Sequence, residues 1–103
     1  MKMTTKKLKK FFEDKGFQVH LTRQDGNQCA EVEKWTTGGV DMIMWLNPFT
    51  VEEFKSYVKD FDVDDEIDTH REDPKYRAAF TTRQSLNDFE EYHNGLKTIA
   101  EQL

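Results

Sequence analysis

The amino-acid sequence predicts an α+β domain in which helices pack on one antiparallel sheet. Three stretches between residues 17 and 46 have the composition of strands, and short turns separate them. Amphipathic helical patterns precede and follow these strands. With 103 residues, 36% of them hydrophobic and 13% aromatic, the chain fits a single domain over residues 1–103. The predicted order is one helix, a three-stranded meander and three to four helices packed on the sheet (α-β-β-β-α-α-α).

The first helix and the meander are predicted from caps, alternation and turns. Thr4 or Thr5 caps a helix that begins near Lys6 and ends at Gly16. Residues 17–22 alternate as a half-buried strand, and residues 25–27 (Asp-Gly-Asn) signal a hairpin to a second strand at 29–35. After a turn at 36–39, the third strand covers 40–46. Its five consecutive apolar residues predict burial on both faces.

The alternation gives the predicted sheet two faces. The inner face is expected to hold Phe17, Val19, Leu21, Ala30, Val32, Met42, Met44 and Leu46. The outer face carries His20, Glu31, Glu33, Trp35, Ile43 and Trp45. Tryptophan is enriched at interface hot spots, so Trp35, Ile43 and Trp45 are a possible interface, including a homodimer contact. The alternative, which the number of helices after the sheet favours, is that a C-terminal helix covers this face as a second core layer.

Helices are predicted through most of the remaining chain. Thr50 and Glu53 form a capping box before an apolar stripe made of Val51, Phe54, Val58 and Phe61. A short helix is predicted at 63–71 with Asp62 as its cap.

The last third of the chain has two further start signals. Asp73-Pro74 predicts a helical turn or two from Lys75 to Phe80. Ser85 with Asp88 resembles a cap for the final helix. That helix has the clearest apolar stripe, made of Leu86, Phe89, His93, Leu96, Ala100 and Leu103, and His93 is interpreted as a core or boundary histidine.

An acidic stretch, residues 60–73, holds the strongest charge. Its eight carboxylates against one arginine, Arg71, give −7, whereas the whole chain carries −5. Such a field attracts cations and basic surfaces and repels nucleic acid. Phe61, Val63 and Ile67 interrupt the stretch, so we predict that it is folded. The predicted partner-binding residues are Asp60, Asp62, Asp64, Asp65, Glu66, Asp68, Glu72 and Asp73.

No complete catalytic or metal-binding motif is present in the sequence. Asp60, Asp62 and Asp64 match an EF-hand start, but the required glycine and final glutamate are replaced by Asp65 and Arg71. Glu66 and His70 share a helix face, and a transition-metal set would need Asp62 or Asp73 to complete it, yet such pairs are common by chance. We predict no metal and no cofactor.

Nucleophilic catalysis would require Cys29 with His20 on the neighbouring strand. Glu31 and Glu33 lie near Cys29 in place of cations, so a buried, unreactive cysteine is favoured.

The α-β-β-β-α order resembles the topology of double-stranded-RNA-binding domains. Those domains hold phosphates with lysines at the start of the second helix, whereas residues 50–53 here read Thr-Val-Glu-Glu. The charge has the wrong sign, so we expect no direct nucleic-acid binding.

Location is predicted from the cysteine and the apolar runs. Cys29 has no internal partner and the N-terminus lacks the apolar run of a secretory signal, which favours a reducing cytoplasm. The longest apolar run, residues 42–46, is too short to cross a membrane.

Three functional hypotheses follow. The first is a non-enzymatic domain that presents fixed carboxylates to the basic groove of a nucleic-acid-processing enzyme such as a nuclease. In size and charge the chain is similar to small acidic inhibitors of restriction or CRISPR nucleases. The run Phe61 to Arg71, followed by Tyr76, Phe80 and Asp88-Phe89, resembles small uncharacterised acidic proteins of bacterial mobile elements. The second hypothesis is a self-associating structural domain with a tryptophan dimer face, and the third is a small metal-assisted enzyme.

Overall fold

A computed structural model describes residues 3–72 and 82–103, with the side chains of residues 3–69 and 86–103. It confirms the α+β architecture and the element order. The elements are α1 (Thr5–Asp14), β1 (Gln18–Gln24), β2 (Asn27–Trp35), β3 (Asp41–Leu46), α2 (Val51–Asp60), α3 (Val63–Glu72) and α4 (Thr82–Ala100). The predicted helix over residues 75–80 and its start at Asp73-Pro74 lie outside the described residues.

The predicted helix starts at α1, α2 and α3 are confirmed by cap hydrogen bonds. Thr4 Oγ1 accepts from the Lys7 N–H at 3.2 Å, and Thr50 Oγ1 accepts from the Glu53 N–H at 3.2 Å. Asp62 Oδ1 accepts from the Asp64 N–H at 2.9 Å and so caps α3. These side chains satisfy backbone donors that a helix start leaves free, which is why the sequence marks all three starts.

The start of α4 differs from the prediction. The helix begins at Thr82, three residues before Ser85, and Asp88 does not cap it. Instead, Asp88 is buried and its Oδ1 accepts from the Thr36 hydroxyl at 2.9 Å. An acid three residues after a serine fits a capping pair by spacing alone. In the folded chain Asp88 instead binds Thr36, which is distant in sequence.

The sheet is an antiparallel meander in the order β1-β2-β3. A two-residue turn joins β1 to β2, and both of its residues have positive φ, 53° at Asp25 and 81° at Gly26. Such a turn matches the twist of the flanking strands and fixes their register. Val19 therefore lies opposite Val32, which lies opposite Met44, and this row faces the core.

The hydrophobic core lies between the inner face of the sheet and the helices. Phe12 of α1 is fully buried at its centre. The Phe12 ring centroid is 5.0 Å from that of Phe54, 5.5 Å from that of Phe17 and 6.1 Å from that of Phe49. From α3 and α4 the core receives Ile67, Phe89, Tyr92, Leu96 and Ile99.

The prediction that β3 is buried on both faces is wrong. Burial alternates along the strand, with Met42, Met44 and Leu46 inside and Ile43 and Trp45 exposed. A run of apolar residues is compatible with a strand that is buried on two faces or on one. Here the described helices pack on the inner face, which forms the core.

Candidate functional site

Helix α3 holds the acidic stretch in a fixed orientation. Ile67 is buried in the core, and Phe61 and Val63 pack against it, so the acidic stretch is folded as predicted from residue 60 to residue 72. The acidic side chains of Asp64 and Asp65 stand in the first turn, where the positive end of the helix dipole stabilises them. Asp60, Asp62, Asp64, Asp65 and Asp68 are exposed.

The exposed carboxylates of the acidic stretch are not neutralised by neighbouring bases in the described part of the chain. Helix α1 provides the contrast, because Glu13 pairs with Lys9 at 3.2 Å and Asp14 with Lys10 at 3.1 Å. None of the ion pairs within 4.0 Å among described side chains involves an acid of α3. The side chain of Glu72 and the whole of Asp73 lie outside the described residues.

Glu66 differs from its acidic neighbours because it is half-buried. Burial, and secondly the Asp65 charge, raises the pKa of Glu66 above its ordinary value. The side chain lies near two phenols, the partly buried Tyr57 and the buried Tyr92, where α2, α3 and α4 meet. Burial raises the pKa of both phenols. Of the predicted partner-binding acids, Glu66 is therefore the one with a partly structural environment.

The outer face of the sheet is exposed, and none of the helices in the described part of the chain covers it, although the helix count favoured a covered face. The exposed fractions are 58% for Trp35, 54% for Ile43 and 42% for Trp45. Single exposed apolar residues are common, but three on two adjacent strands form a patch of the kind found at interaction sites. The structure thus brings together the three predicted interface residues.

Each of these exposed apolar residues lies directly opposite an acid on the neighbouring strand. The antiparallel register pairs Trp45 with Glu31, Ile43 with Glu33, and Trp35 with Asp41. Opposite residues of neighbouring strands are close enough to interact. The outer face therefore combines apolar contact area with negative charge.

The Asp41 carboxyl acts on the neighbouring Glu33. The Asp41 side chain is the first cause, ahead of burial, that raises the pKa of Glu33. His20 acts in the opposite direction, with its Nε2 3.8 Å from the Glu33 carboxylate. A cationic group placed against this face would relieve the repulsion between the two acids.

A cleft of about 380 Å³, which the sequence did not reveal, opens between the end of β2 and α4. One wall of the cleft is the turn at residues 36–39. Two hydrogen bonds hold this turn against α4. Thr36 donates to the buried Asp88, and the Thr37 N–H donates to Glu91 Oε2 at 2.9 Å. The cleft is lined by Phe17, Lys34, Trp35, Thr36, Thr37, Glu91, Tyr92, Gly95, Leu96 and Ile99. No local motif marks it, because its lining comes from residues about 60 positions apart in the chain.

Cys29 and His20, the pair that nucleophilic catalysis would require, do not lie opposite each other in the sheet. Cys29 lies opposite Thr22 and is fully buried, with its thiol 3.4 Å from the Asn27 carbonyl oxygen, while His20 lies opposite Glu31. No group of three or more metal-ligating side chains occurs among the described residues. The His70 side chain lies outside them. His93 is a boundary histidine as predicted, with Nε2 3.2 Å from the Val58 carbonyl oxygen.

No protein-family model matches the chain, and no curated protein and no solved structure matches it either. Within the described residues, no helix combines the length and the apolar character that crossing a membrane requires.

Proposed function

We propose that this protein is a non-enzymatic binding domain that presents the carboxylates of α3 to a basic surface of another protein. The observation that carries the proposal is the contrast between α1 and α3. The acids of α1 are neutralised by lysines on the same helix, whereas Asp64, Asp65 and Asp68 stand exposed without such partners among the described side chains. Unpaired charges fixed on a rigid helix steer association with an oppositely charged partner.

We further propose that the partner is an enzyme that processes nucleic acid. A basic groove that normally holds the phosphates of nucleic acid would accept carboxylates as substitutes, and the domain would then inhibit a nucleic-acid-processing enzyme. The acidic outer face of the sheet supports a basic partner as well. A second copy of the chain would bring Glu31, Glu33 and Asp41 towards the same acids, and such like-charge contacts are costly.

The experiment compares two variants with the same change in net charge. The test variant carries Asp64→Asn, Asp65→Asn and Asp68→Asn, and keeps Asp62 because it caps α3. The control variant carries glutamine at three exposed acids outside α3, namely Glu52, Glu90 and Glu101. Circular dichroism establishes that both variants fold.

Each variant is coupled to a resin and exposed to bacterial lysate, and captured proteins are quantified by mass spectrometry. We expect the native chain and the control variant to capture a basic protein. The test variant should not capture it. The affinity of the native chain for this protein, measured with purified components, should fall as salt rises, because screening weakens charge contacts. Equal capture by the test and control variants would contradict the proposal. A concentration-dependent dimer in sedimentation velocity, abolished by Trp45→Ser, would favour the self-associating alternative.

A further inference from the structure

We propose that the cleft between β2 and α4 is a binding site for a small aromatic carboxylate. The inference does not depend on the acidic stretch or on a protein partner. The cleft volume of about 380 Å³ lies within the range of small-molecule sites. Its floor is formed by buried apolar side chains, Phe17, Tyr92 and Leu96, which are held by the core.

The wall of the cleft contains a glycine, Gly95. Gly95 lies in the interior of the 19-residue helix α4, where glycine is less favourable than alanine. No packing reason requires it, because a methyl group at Gly95 would meet no atom within 4 Å. The missing side chain instead leaves the cleft open beside Leu96 and Ile99. A binding site accounts for a glycine that the fold itself does not need.

Several side chains that line the cleft are aromatic. Trp35 contributes an exposed aromatic ring at the edge of the cleft, and aromatic rings prefer offset-stacked or edge-to-face contact with another ring. Phe17 and Tyr92 add further aromatic surface. An aromatic group therefore matches the apolar part of the cleft better than a polar one does.

Lys34 brings a positive charge to the lining of the cleft. Its Nζ donates to the Lys15 carbonyl oxygen at 2.9 Å and lies 4.8 Å from the centroid of the Phe17 ring. The ammonium group carries three donors, so two remain after this bond. No carboxylate within 4.0 Å pairs with it among the described side chains. The carboxylate of a ligand would supply that partner.

The acid of the cleft is already engaged. Glu91 accepts from the Thr37 N–H, and hydrogen bonds from Thr37, with a smaller effect of the Lys34 charge, lower the pKa of Glu91. Because Thr37 holds this carboxylate at the turn, the ligand's charged end is assigned to Lys34. A ligand with an ammonium group in place of the carboxylate would face Lys34 with a like charge.

The test uses 3-phenylpropanoate as the probe and phenethylamine as its control of opposite charge. Binding is measured from amide chemical shifts in ¹H–¹⁵N spectra of the full chain, and two variants are titrated in parallel. Gly95→Leu fills the cleft without meeting other atoms at its Cβ, and Lys34→Gln removes the charge while keeping a donor for Lys15. Thermal unfolding of both variants confirms that they fold.

We expect 3-phenylpropanoate to shift the amides around residues 34–37 and 91–99 and to bind at least about tenfold more tightly than phenethylamine. Lys34→Gln should weaken binding about tenfold, and Gly95→Leu should abolish it. Three results would overturn the proposal: no shift of the cleft amides at tens of millimolar probe, equal binding of the amine, or undiminished binding by folded Gly95→Leu.

Discussion

The buried hydrogen bond between Thr36 and Asp88 gives the sharpest prediction for stability. Asp88 is 6% exposed, and its Oδ1 accepts from the Thr36 hydroxyl at 2.9 Å. The same hydroxyl oxygen accepts from the Val40 N–H at 3.0 Å. Replacing Thr36 with valine keeps the volume but removes both interactions at once, and it leaves a buried carboxylate and a buried N–H without this partner.

The expected cost follows from these two losses. A hydrogen bond to a charged group contributes about 1.5–3 kcal/mol, and a buried N–H left without an acceptor costs about 1–3 kcal/mol. Because relaxation of the turn and entry of water offset part of the sum, we expect Thr36→Val to lower the free energy of unfolding by about 2–4 kcal/mol. Urea denaturation followed by circular dichroism measures this loss as a lower midpoint with an unchanged slope.

A matched control separates the buried bond from the chemistry of the substitution. Thr98→Val also removes a threonine hydroxyl, but that hydroxyl is exposed and donates only to the Asn94 carbonyl oxygen within α4. We expect Thr98→Val to change stability by less than about 0.5 kcal/mol. A loss below about 1 kcal/mol for Thr36→Val would refute the claim that this bond holds the turn against α4.

Three further predictions concern the same region. Gly38→Ala should destabilise the fold by about 1–3 kcal/mol in urea denaturation, because the added methyl would collide with both carboxylate oxygens of Asp88; an unchanged midpoint would contradict this contact. Gly95→Ala should raise stability by about 0.5–1 kcal/mol in the same assay, and a loss would show that the cleft has no room there. Burial raises the pKa of Tyr92 above its ordinary 10.0, so the native state keeps a proton that the unfolded state releases, and stability should fall by about 1.4 kcal/mol per pH unit above about pH 10. Tyr92→Phe should reduce that slope, with the Tyr57 contribution remaining, and an unchanged slope in urea titrations at alkaline pH would contradict the assignment.

Much of the fold could be predicted because its signals are local. Helix caps at Thr4, Thr50 and Asp62 act within three residues, and the Asp25-Gly26 turn sets the register of its own hairpin. These features depend on side chains that meet backbone groups nearby in the sequence. The α+β order and most of the inner face of the sheet followed from them. Leu21, predicted on that face, is 41% exposed, and within β1 Val19 is the buried residue.

Of the two predicted sites, the acidic stretch could be recognised from the sequence, whereas the exposure of the apolar patch could not. The acidic stretch was visible as a charge run, and its folded state followed from Phe61, Val63 and Ile67. The exposure of Trp35, Ile43 and Trp45 was not predictable, because it depends on which face of the sheet the later helices select. The helix count favoured a covered outer face, and the structure leaves it open.

Local patterns in the amino-acid sequence predict the order of helices and strands, the two faces of the sheet and the concentration of charge before α4. Two features depend on tertiary packing. Asp88 binds the turn after β2 instead of capping its own helix, and a cleft lined by Gly95, Lys34 and Trp35 forms between β2 and α4. The difference arises from the distance along the sequence over which each interaction acts. Caps and alternation operate within a few residues, whereas a buried hydrogen bond across 52 positions and a cleft exist only once distant elements have packed together.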